Sequence, residues 1–212
     1  KLWNLPCWEE GKYVARPCHC NSVFCPWCAN RRSIPHQNKI IGKMRPIEHS
    51  YWMLTVTVKS WPTLTRAGLD KLIQQFAALR ETDTWQEAVS GGAYSIEATY
   101  NKRSASWHPH LHSLIECGKK LPKDWIFRLR AEWLAITGDS HVLNLQRCYG
   151  KDKKGRKTRK VNRRAVREMV KYSTKAASFS HAPELVGEFR SAFKNVRRIQ
   201  YFGSWIGREV EK

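Results

Sequence analysis

The stretch WHPHLHSLIEC (107–117) decides the fold, because its apolar and polar side chains alternate with the period of a β-strand. AYSIEATYN (93–101) has a similar period, and the polar turn between the two stretches predicts a hairpin. Two further segments rich in aromatic and β-branched residues, SYWMLTVTVKS (50–60) and HVLNLQRC (141–148), predict one strand each. Four strands are therefore expected in the central part of the chain.

Helical spacing of apolar residues fills the intervals between these strands. Thr65 is the predicted N-cap of the first helix, and Gly91-Gly92 is expected to break the chain before the second strand. The predicted helices are Leu64 to Trp85, Leu121 to Ile136, Arg163 to Ala177 and Pro183 to Lys194. The basic segment 30–48 is expected to be partly helical. This order of elements predicts an α+β fold, an antiparallel sheet with helices packed on one face.

The charge of the chain is unusual for its size. The 212 residues hold 38 Lys and Arg against 18 Asp and Glu, a formal net charge of +20. Such an excess favours a polyanionic partner, and nucleic acid binds basic proteins through phosphate neutralisation and counterion release. A merely cationic protein is the alternative. No apolar run approaches the ~18 residues that a membrane span needs, and the N-terminus lacks the pattern of a secretory signal.

Two histidines of the 107–117 strand are the first candidate site. His110 and His112 are two residues apart, so on a strand both imidazoles point to the same face and can bind one metal ion. Imidazole pairs suit Mn²⁺, Zn²⁺, Ni²⁺ or Cu²⁺. Glu97, across the predicted hairpin, is the natural third ligand, and a carboxylate tilts the site towards Mg²⁺ or Mn²⁺. His108 shares that face but is expected at the rim, nearer to substrate than to metal. The alternative is that these histidines only decorate an exposed sheet.

The basic run GKDKKGRKTRKVNRR (150–164) is predicted to be a flexible loop or a β-ribbon. A tyrosine on the helix predicted after it is the second candidate site. Glu168 and Tyr172 are four residues apart and Lys175 lies three further on, so all three share one helix face. A phenol needs a neighbouring cation or metal to become a good nucleophile, and Lys175 could supply that charge or orient a phosphate. Glu168 could accept a proton from an attacking water. The alternative is an ordinary half-buried helix tyrosine.

Cysteines cluster near the N-terminus. Five of the seven fall within residues 7–28, a grouping that suits metal binding better than a disulfide framework. Cys25-Pro-Trp-Cys28 is a knuckle that wraps two thiolates around one Zn²⁺ ion, with Cys7 upstream. Spacing alone does not choose among Cys18, His19 and Cys20. Cys117 and Cys148 are expected in the core.

Together these motifs resemble the HUH endonucleases, and among them the plasmid rolling-circle replication initiators. IEATYNKRSASWHPHLHSLIE (96–116) is similar to the family's metal motif, and EMVKYSTK (168–175) is similar to its nucleophile motif in a single-tyrosine form. The resemblance covers most of the chain. It implies a ferredoxin-like core, a catalytic Mg²⁺ or Mn²⁺, and a nick that leaves a 5′-phosphotyrosine on Tyr172 and a free 3′-OH. It also implies that Glu168 is the base for a second, hydrolytic cleavage.

The same resemblance implies an N-terminal zinc module. Its ligands would be Cys7, Cys20, Cys25 and Cys28, with Cys18 and His19 in reserve. The chain then divides into a zinc-binding module with a basic helical linker (1–48) and an endonuclease domain (49–212).

The implied partner is single-stranded or cruciform origin DNA, together with a host helicase and DNA polymerase and without a membrane. The implied location is the cytoplasm of a bacterial or archaeal cell, with the gene on a plasmid or mobile element. Residues expected to touch DNA are basic or lie beside the histidine strand: Trp107, His108, Arg31, Arg32, Lys153, Lys154, Arg156, Lys157, Arg159, Lys160, Arg163 and Arg164. The rival hypotheses are a transposase or relaxase of the same superfamily and a non-enzymatic zinc-ribbon nucleic-acid binder.

Overall fold

The computed structural model describes residues 4–9, 12–17, 26–45, 49–118, 121–148, 150–151, 157–158, 163–172 and 182–210. The strands are β1 (Asn4–Glu9), β2 (Lys12–Pro17), β3 (Ser50–Thr57), β4 (Val89–Asn101), β5 (Ser106–Cys117), β6 (Leu143–Arg147), β7 (Gly150–Lys151), β8 (Lys157–Thr158) and β9 (Ile199–Gly203). The helices are α1 (Pro26–Lys43), α2 (Arg66–Arg80), α3 (Asp83–Gln86), α4 (Trp125–Thr137), α5 (Arg163–Tyr172) and α6 (Pro183–Ala192).

Five strands form one antiparallel sheet in the order β6-β3-β5-β4-β9. Strands β3 and β4 both pair antiparallel with β5, so they run parallel to each other and are connected through α2. Strands β5 and β6 flank β3 in the same way and are connected through α4. These two interleaved βαβ units are the ferredoxin-like arrangement, and they confirm the predicted α+β class.

Helices α2, α4 and α6 cover one face of the sheet. On β5 the odd-numbered side chains point to this face and pack into the larger core. The N-cap prediction is confirmed, since the side chain of Thr65 accepts a hydrogen bond from Gly68 N. Side chains from both layers meet in this core, among them Leu54, Val56, Leu69, Phe76, Ile96, Leu111, Ile115, Leu129, Trp133 and Phe189.

Helices α1 and α5 cover the opposite face, so the prediction of helices on one face only was wrong. A second core lies between them and the sheet, and it contains Ile40 and Met44 of α1, Val166 and Met169 of α5 and Leu114 of β5. The cause is the central strand itself, which carries Leu114 among its even-numbered residues as well as apolar side chains at odd ones. Helix α1 thus packs against elements beyond residue 48, and the boundary proposed there stays a prediction.

Strand β4 begins earlier than predicted. It runs from Val89 through Gly91-Gly92, the pair expected to break the chain, with a bulge between Val89 and Gly91. A Cβ atom on Gly92 would lie 2.1 Å from the carbonyl oxygen of Leu114, so glycine allows the close approach of two central strands.

Several other bounds also differ from prediction. The β1–β2 hairpin lies in the N-terminal region, where no strand was predicted, β9 was missed, and α4 begins at Trp125 rather than near Leu121. The segment 150–164 contains a short β-ribbon, one of two predicted alternatives. No helix in the described part of the chain is long and apolar enough to cross a membrane.

Candidate metal centre

Three potential metal ligands converge on the face of the sheet that α1 and α5 cover. Glu97 lies on β4 directly opposite His110 of β5, and His112 follows two residues later on the same face. Between the histidines, Leu111 points the other way into the larger core. The alternation that orders the core therefore also brings the two imidazoles together.

The ligand atoms are close enough to share one ion. The Nε2 atoms of His110 and His112 lie 3.1 and 3.2 Å from the same Glu97 oxygen, Oε2. One ligand atom from each residue lies within 4.8 Å of the other two. The three side chains are buried or nearly so. Two imidazoles and a carboxylate are a ligand set that suits a divalent cation and leaves coordination positions open.

Neighbouring groups orient both rings. His110 Nδ1 lies 3.1 Å from the carbonyl oxygen of His108, which can only accept, so this nitrogen donates and Nε2 faces Glu97. His112 Nδ1 lies 3.1 Å from Thr55 Oγ1 of β3. Such contacts to the nitrogen away from the metal fix the ring of a ligating histidine. Each Nε2 atom can face the Glu97 oxygen either by donating a proton to it or by binding, together with it, one metal ion.

The charge state of Glu97 agrees with this arrangement. Burial by itself would raise the pKa of the Glu97 carboxyl, but the hydrogen bonds and charges of His110 and His112 outweigh it, and the pKa lies below its ordinary value. A buried carboxylate that stays ionised is able to bind a cation. His108 lies at the rim, where its Nδ1 is 3.2 Å from Ser60 Oγ, and burial followed by the charge of His110 lowers its pKa.

Helix α5 packs over the same face of the sheet, beside the three ligands. The hydroxyl of Ser95 donates to the carbonyl oxygen of Met169 at 2.8 Å. Ser95 lies opposite His112 in the β4–β5 register and two residues before Glu97. Tyr172 is the last residue of α5, three residues after Met169. The side chains of Glu168 and Tyr172, and all of Lys175, lie outside the described residues.

Thr55 and Ser95 were not predicted from the sequence. The alternation of MLTVTV on β3 places Thr55 on the face opposite the core residues Leu54 and Val56, which was the available signal. Nothing in the sequence pairs Ser95 with Met169, because 74 residues separate them.

The residues predicted to contact DNA differ in their exposure and in whether the structure describes them. Trp107 is fully buried and packs against Tyr100 and Phe189, so the expectation that it stacks on bases was wrong. Arg31 and Arg32 are exposed on α1. Lys157 lies on β8 and Arg163 and Arg164 begin α5, without described side chains, whereas Lys153, Lys154, Arg156, Arg159 and Lys160 lie outside the described residues.

The zinc ligands are described only in part. Cys7 lies on β1, and Cys28 is buried in the first turn of α1. Cys18, His19, Cys20 and Cys25 lie outside the described residues. The two downstream cysteines, Cys117 and Cys148, are buried as predicted, and burial raises the pKa of each thiol to about 12.

Comparisons with known proteins agree with these observations. A family model described as a replication protein matches residues 11–209. The chain is 27% identical to a protein named Protein rep from Staphylococcus aureus, over 76% of this chain and 71% of that protein. It is 30% identical to a Protein rep from a Bacillus species, over 60% of this chain and 43% of the relative. A Protein rep from Streptococcus pneumoniae is also 30% identical, over 45% of this chain and 32% of that relative. The chain thus spans less than half the length of the last two relatives. No solved structure matches it.

Proposed function

This chain belongs to the replication protein family, the rolling-circle plasmid initiators that its motifs resemble, and on this premise we propose that it is a metal-dependent endonuclease that nicks one strand of origin DNA. The observation that supports the proposal best is the position of α5. The helix that ends at Tyr172 packs, through Ser95 and Met169, on the sheet face that carries Glu97, His110 and His112.

The metal ion would be held by Glu97, His110 and His112. The resemblance to the HUH endonucleases favours Mn²⁺ or Mg²⁺, and the Glu97 carboxylate and the open coordination positions suit these ions. When bound, the ion would polarise the phosphoryl oxygens and offset the negative charge that develops during cleavage. Thr55 and the His108 carbonyl would keep the two imidazole rings in the orientation that binding needs.

Tyr172 would be the nucleophile. Its phenol oxygen bonds to phosphorus as the bond from phosphorus to the 3′ oxygen breaks, so the DNA downstream of the nick stays on the protein through its 5′-phosphate, as a phosphotyrosine. The phenol proton leaves to solvent and the departing 3′ oxygen gains one, which gives the free 3′-OH from which a polymerase can extend. Lys175 would orient the scissile phosphate. At the second cleavage Glu168 would accept a proton from water. The water oxygen bonds to phosphorus as the bond from phosphorus to the 3′ oxygen breaks and that oxygen takes up a proton, which leaves a 5′-phosphate and a 3′-OH.

An N-terminal zinc site and partner proteins belong to the same proposal. Cys7, Cys20, Cys25 and Cys28 would hold a structural Zn²⁺, with Cys18 and His19 as the other candidates. The support is the CPxC knuckle, whose second cysteine, Cys28, is buried at the start of α1. A host helicase and a DNA polymerase would act on the nicked origin.

The direct test is a covalent adduct. The protein is incubated with Mn²⁺ and labelled single-stranded oligonucleotides that carry the plasmid's origin sequence, and the products are separated under denaturing conditions. Wild type should give a protein–DNA adduct that Tyr172→Phe does not form, whereas Tyr149→Phe, the matched control, should form it as wild type does. His110→Ala should bind DNA but give no adduct. Adduct formation by Tyr172→Phe, or no adduct with wild type, would refute the role of Tyr172 as the nucleophile.

Glu168 is tested on the same substrates. Glu168→Ala should form the adduct at the first cleavage and fail to release hydrolysed product at the second. An unchanged product pattern would contradict the role of Glu168 and leave that of Tyr172 intact.

A further inference from the structure

A basic groove lies beside the metal centre, between α1, β9 and the segment after β9. Its volume is about 690 Å³, and its lining includes Lys39, Lys43, Arg197, Tyr201, Arg208 and Glu209. The ammonium groups of Lys39 and Lys43 each lie 5.4 Å from the centre of the Tyr201 ring. The lining thus contains four cations and one carboxylate.

Among the described residues the positive charge of the groove is only partly compensated. Arg208 is paired with the buried carboxylate of Glu116. Lys43 donates to the carbonyl oxygens of Trp205 and Arg208, and burial, followed by the charges of Lys39 and Arg208, lowers its pKa. Within the described part of the chain neither Lys39 nor Arg197 forms an ion pair, and both are exposed. An anion in the groove would relieve this repulsion.

The groove adjoins the metal centre through the sheet register. Ile199, which lines the groove, pairs with Ser95 of β4, and Ser95 pairs with His112 of β5. Ile199 also packs against the second core, on the face of the sheet that carries the ligands. Two strand spacings of about 4.8 Å separate β9 from β5, so this end of the groove lies roughly 10 Å from the metal centre.

We propose that the groove binds the phosphodiester backbone of the single-stranded DNA that flanks the nick. The identity of the strand rests on the proposed function. Lys39 and Arg197 are the contacts, because both are exposed cations at the mouth of the groove, and Lys43 holds the wall formed by Trp205 and Arg208. A groove that places cations beside an aromatic ring is the kind of surface that follows the backbone of one extended strand.

The groove is tested by DNA binding without cleavage. Full-length Tyr172→Phe protein is titrated into a labelled oligothymidylate of about 20 nucleotides, in chelator and at several salt concentrations, with fluorescence anisotropy as the readout. When Lys39→Gln and Arg197→Gln are added to the Tyr172→Phe protein, the Kd for the oligothymidylate should rise about tenfold at low salt. The slope of log affinity against log salt should fall by about 1.4, because each lost phosphate contact removes about 0.7 on single strands.

A second double variant provides the matched control. Lys71→Gln with Lys123→Gln removes the same charge from exposed positions on α2 and just before α4, away from the groove, and should change Kd much less. Equal losses in the two double variants, or an unlabelled duplex that competes as well as a single strand, would overturn the proposal. The titration uses no metal and no Tyr172. Failure of the adduct experiment would therefore leave the groove proposal intact, and failure of the titration would leave the nicking proposal intact.

Discussion

Replacing Glu116 with glutamine should remove a large part of the free energy that holds the C-terminal segment on the sheet. Glu116 is fully buried on β5, and its two carboxylate oxygens accept hydrogen bonds from the two terminal nitrogens of Arg208 at 2.7 and 2.8 Å. The hydroxyl of Tyr51 donates to it at 2.8 Å and the indole of Trp205 at 3.0 Å. The carboxylate therefore joins β3, β5 and the residues after β9.

The magnitude follows from the charge state of Glu116. Burial alone would raise the pKa of its carboxyl, but the hydrogen bonds from Arg208, Tyr51 and Trp205 lower it from the ordinary 4.5 to about 2. Each pH unit by which folding lowers a pKa is worth about 1.4 kcal/mol, so the lowered pKa of Glu116 contributes about 3 kcal/mol to the free energy of unfolding. Because the folded pKa lies below the unfolded one, this stabilisation is complete above about pH 6 and is lost as the pH falls towards 2.

Urea unfolding, followed by tryptophan fluorescence, measures both consequences. At about pH 7 Glu116→Gln should unfold with a free energy about 3 kcal/mol below that of wild type, since loss of one partner of a buried pair costs on the order of 3–5 kcal/mol. At about pH 3 the wild-type carboxyl has lost about 2 kcal/mol of its contribution. The free energies of unfolding of wild type and Glu116→Gln should then differ by only about 1 kcal/mol.

An exposed ion pair supplies the control. Glu87 pairs with Arg128 on the surface, and the two side chains are 38% and 39% exposed. Glu87→Gln makes the same chemical change, and we expect little effect on the unfolding midpoint because water screens the pair. If Glu116→Gln and Glu87→Gln unfold alike, or if the difference from wild type does not narrow in acid, the reasoning about the buried carboxylate is refuted.

Three further outcomes are expected. Thr55→Val should weaken Mn²⁺ binding about 10- to 100-fold in calorimetry by freeing the His112 ring; an unchanged Kd would contradict this. Tyr201→Phe should change the free energy of unfolding by less than about 1 kcal/mol, because its buried hydroxyl has no hydrogen-bond partner among the described residues. Gly92→Ala should cost at least about 2 kcal/mol because its Cβ would overlap backbone, whereas Gly187→Ala, in open space on α6, should be neutral or stabilising in the same urea assay.

The sequence predicted the parts of the fold that depend on local patterns. Alternation along β5 identified the strand, the face and the two histidines, and the hairpin brought Glu97 opposite His110. The cap at Thr65 was predicted because a side-chain oxygen there meets a free backbone N–H three residues on. Each of these features is decided by residues close in sequence.

Features that depend on distant contacts were missed. Gly91-Gly92 resembles a chain break in the sequence, yet it lies within a strand because two neighbours approach it closely. Strand β9 has five residues without strong alternation, and its place is set by pairing with β4. Trp107 is a different case. Strand alternation alone places it on the face opposite the histidines, and the expectation that it stacks on bases rested on its proximity to the motif instead.

The even-numbered face of β5 connects the proposed chemistry to the stability of the fold. His110 and His112 occupy one end of this face, Leu114 packs under α1 and α5 in the middle, and Glu116 holds the C-terminal segment at the other end. A shift of the strand by one residue would move all four side chains to the opposite face. The register that buries Glu116 with Arg208 is thus the same register that brings the two imidazoles to Glu97, so a slip of β5 would take apart the candidate metal centre together with the buried ion pair.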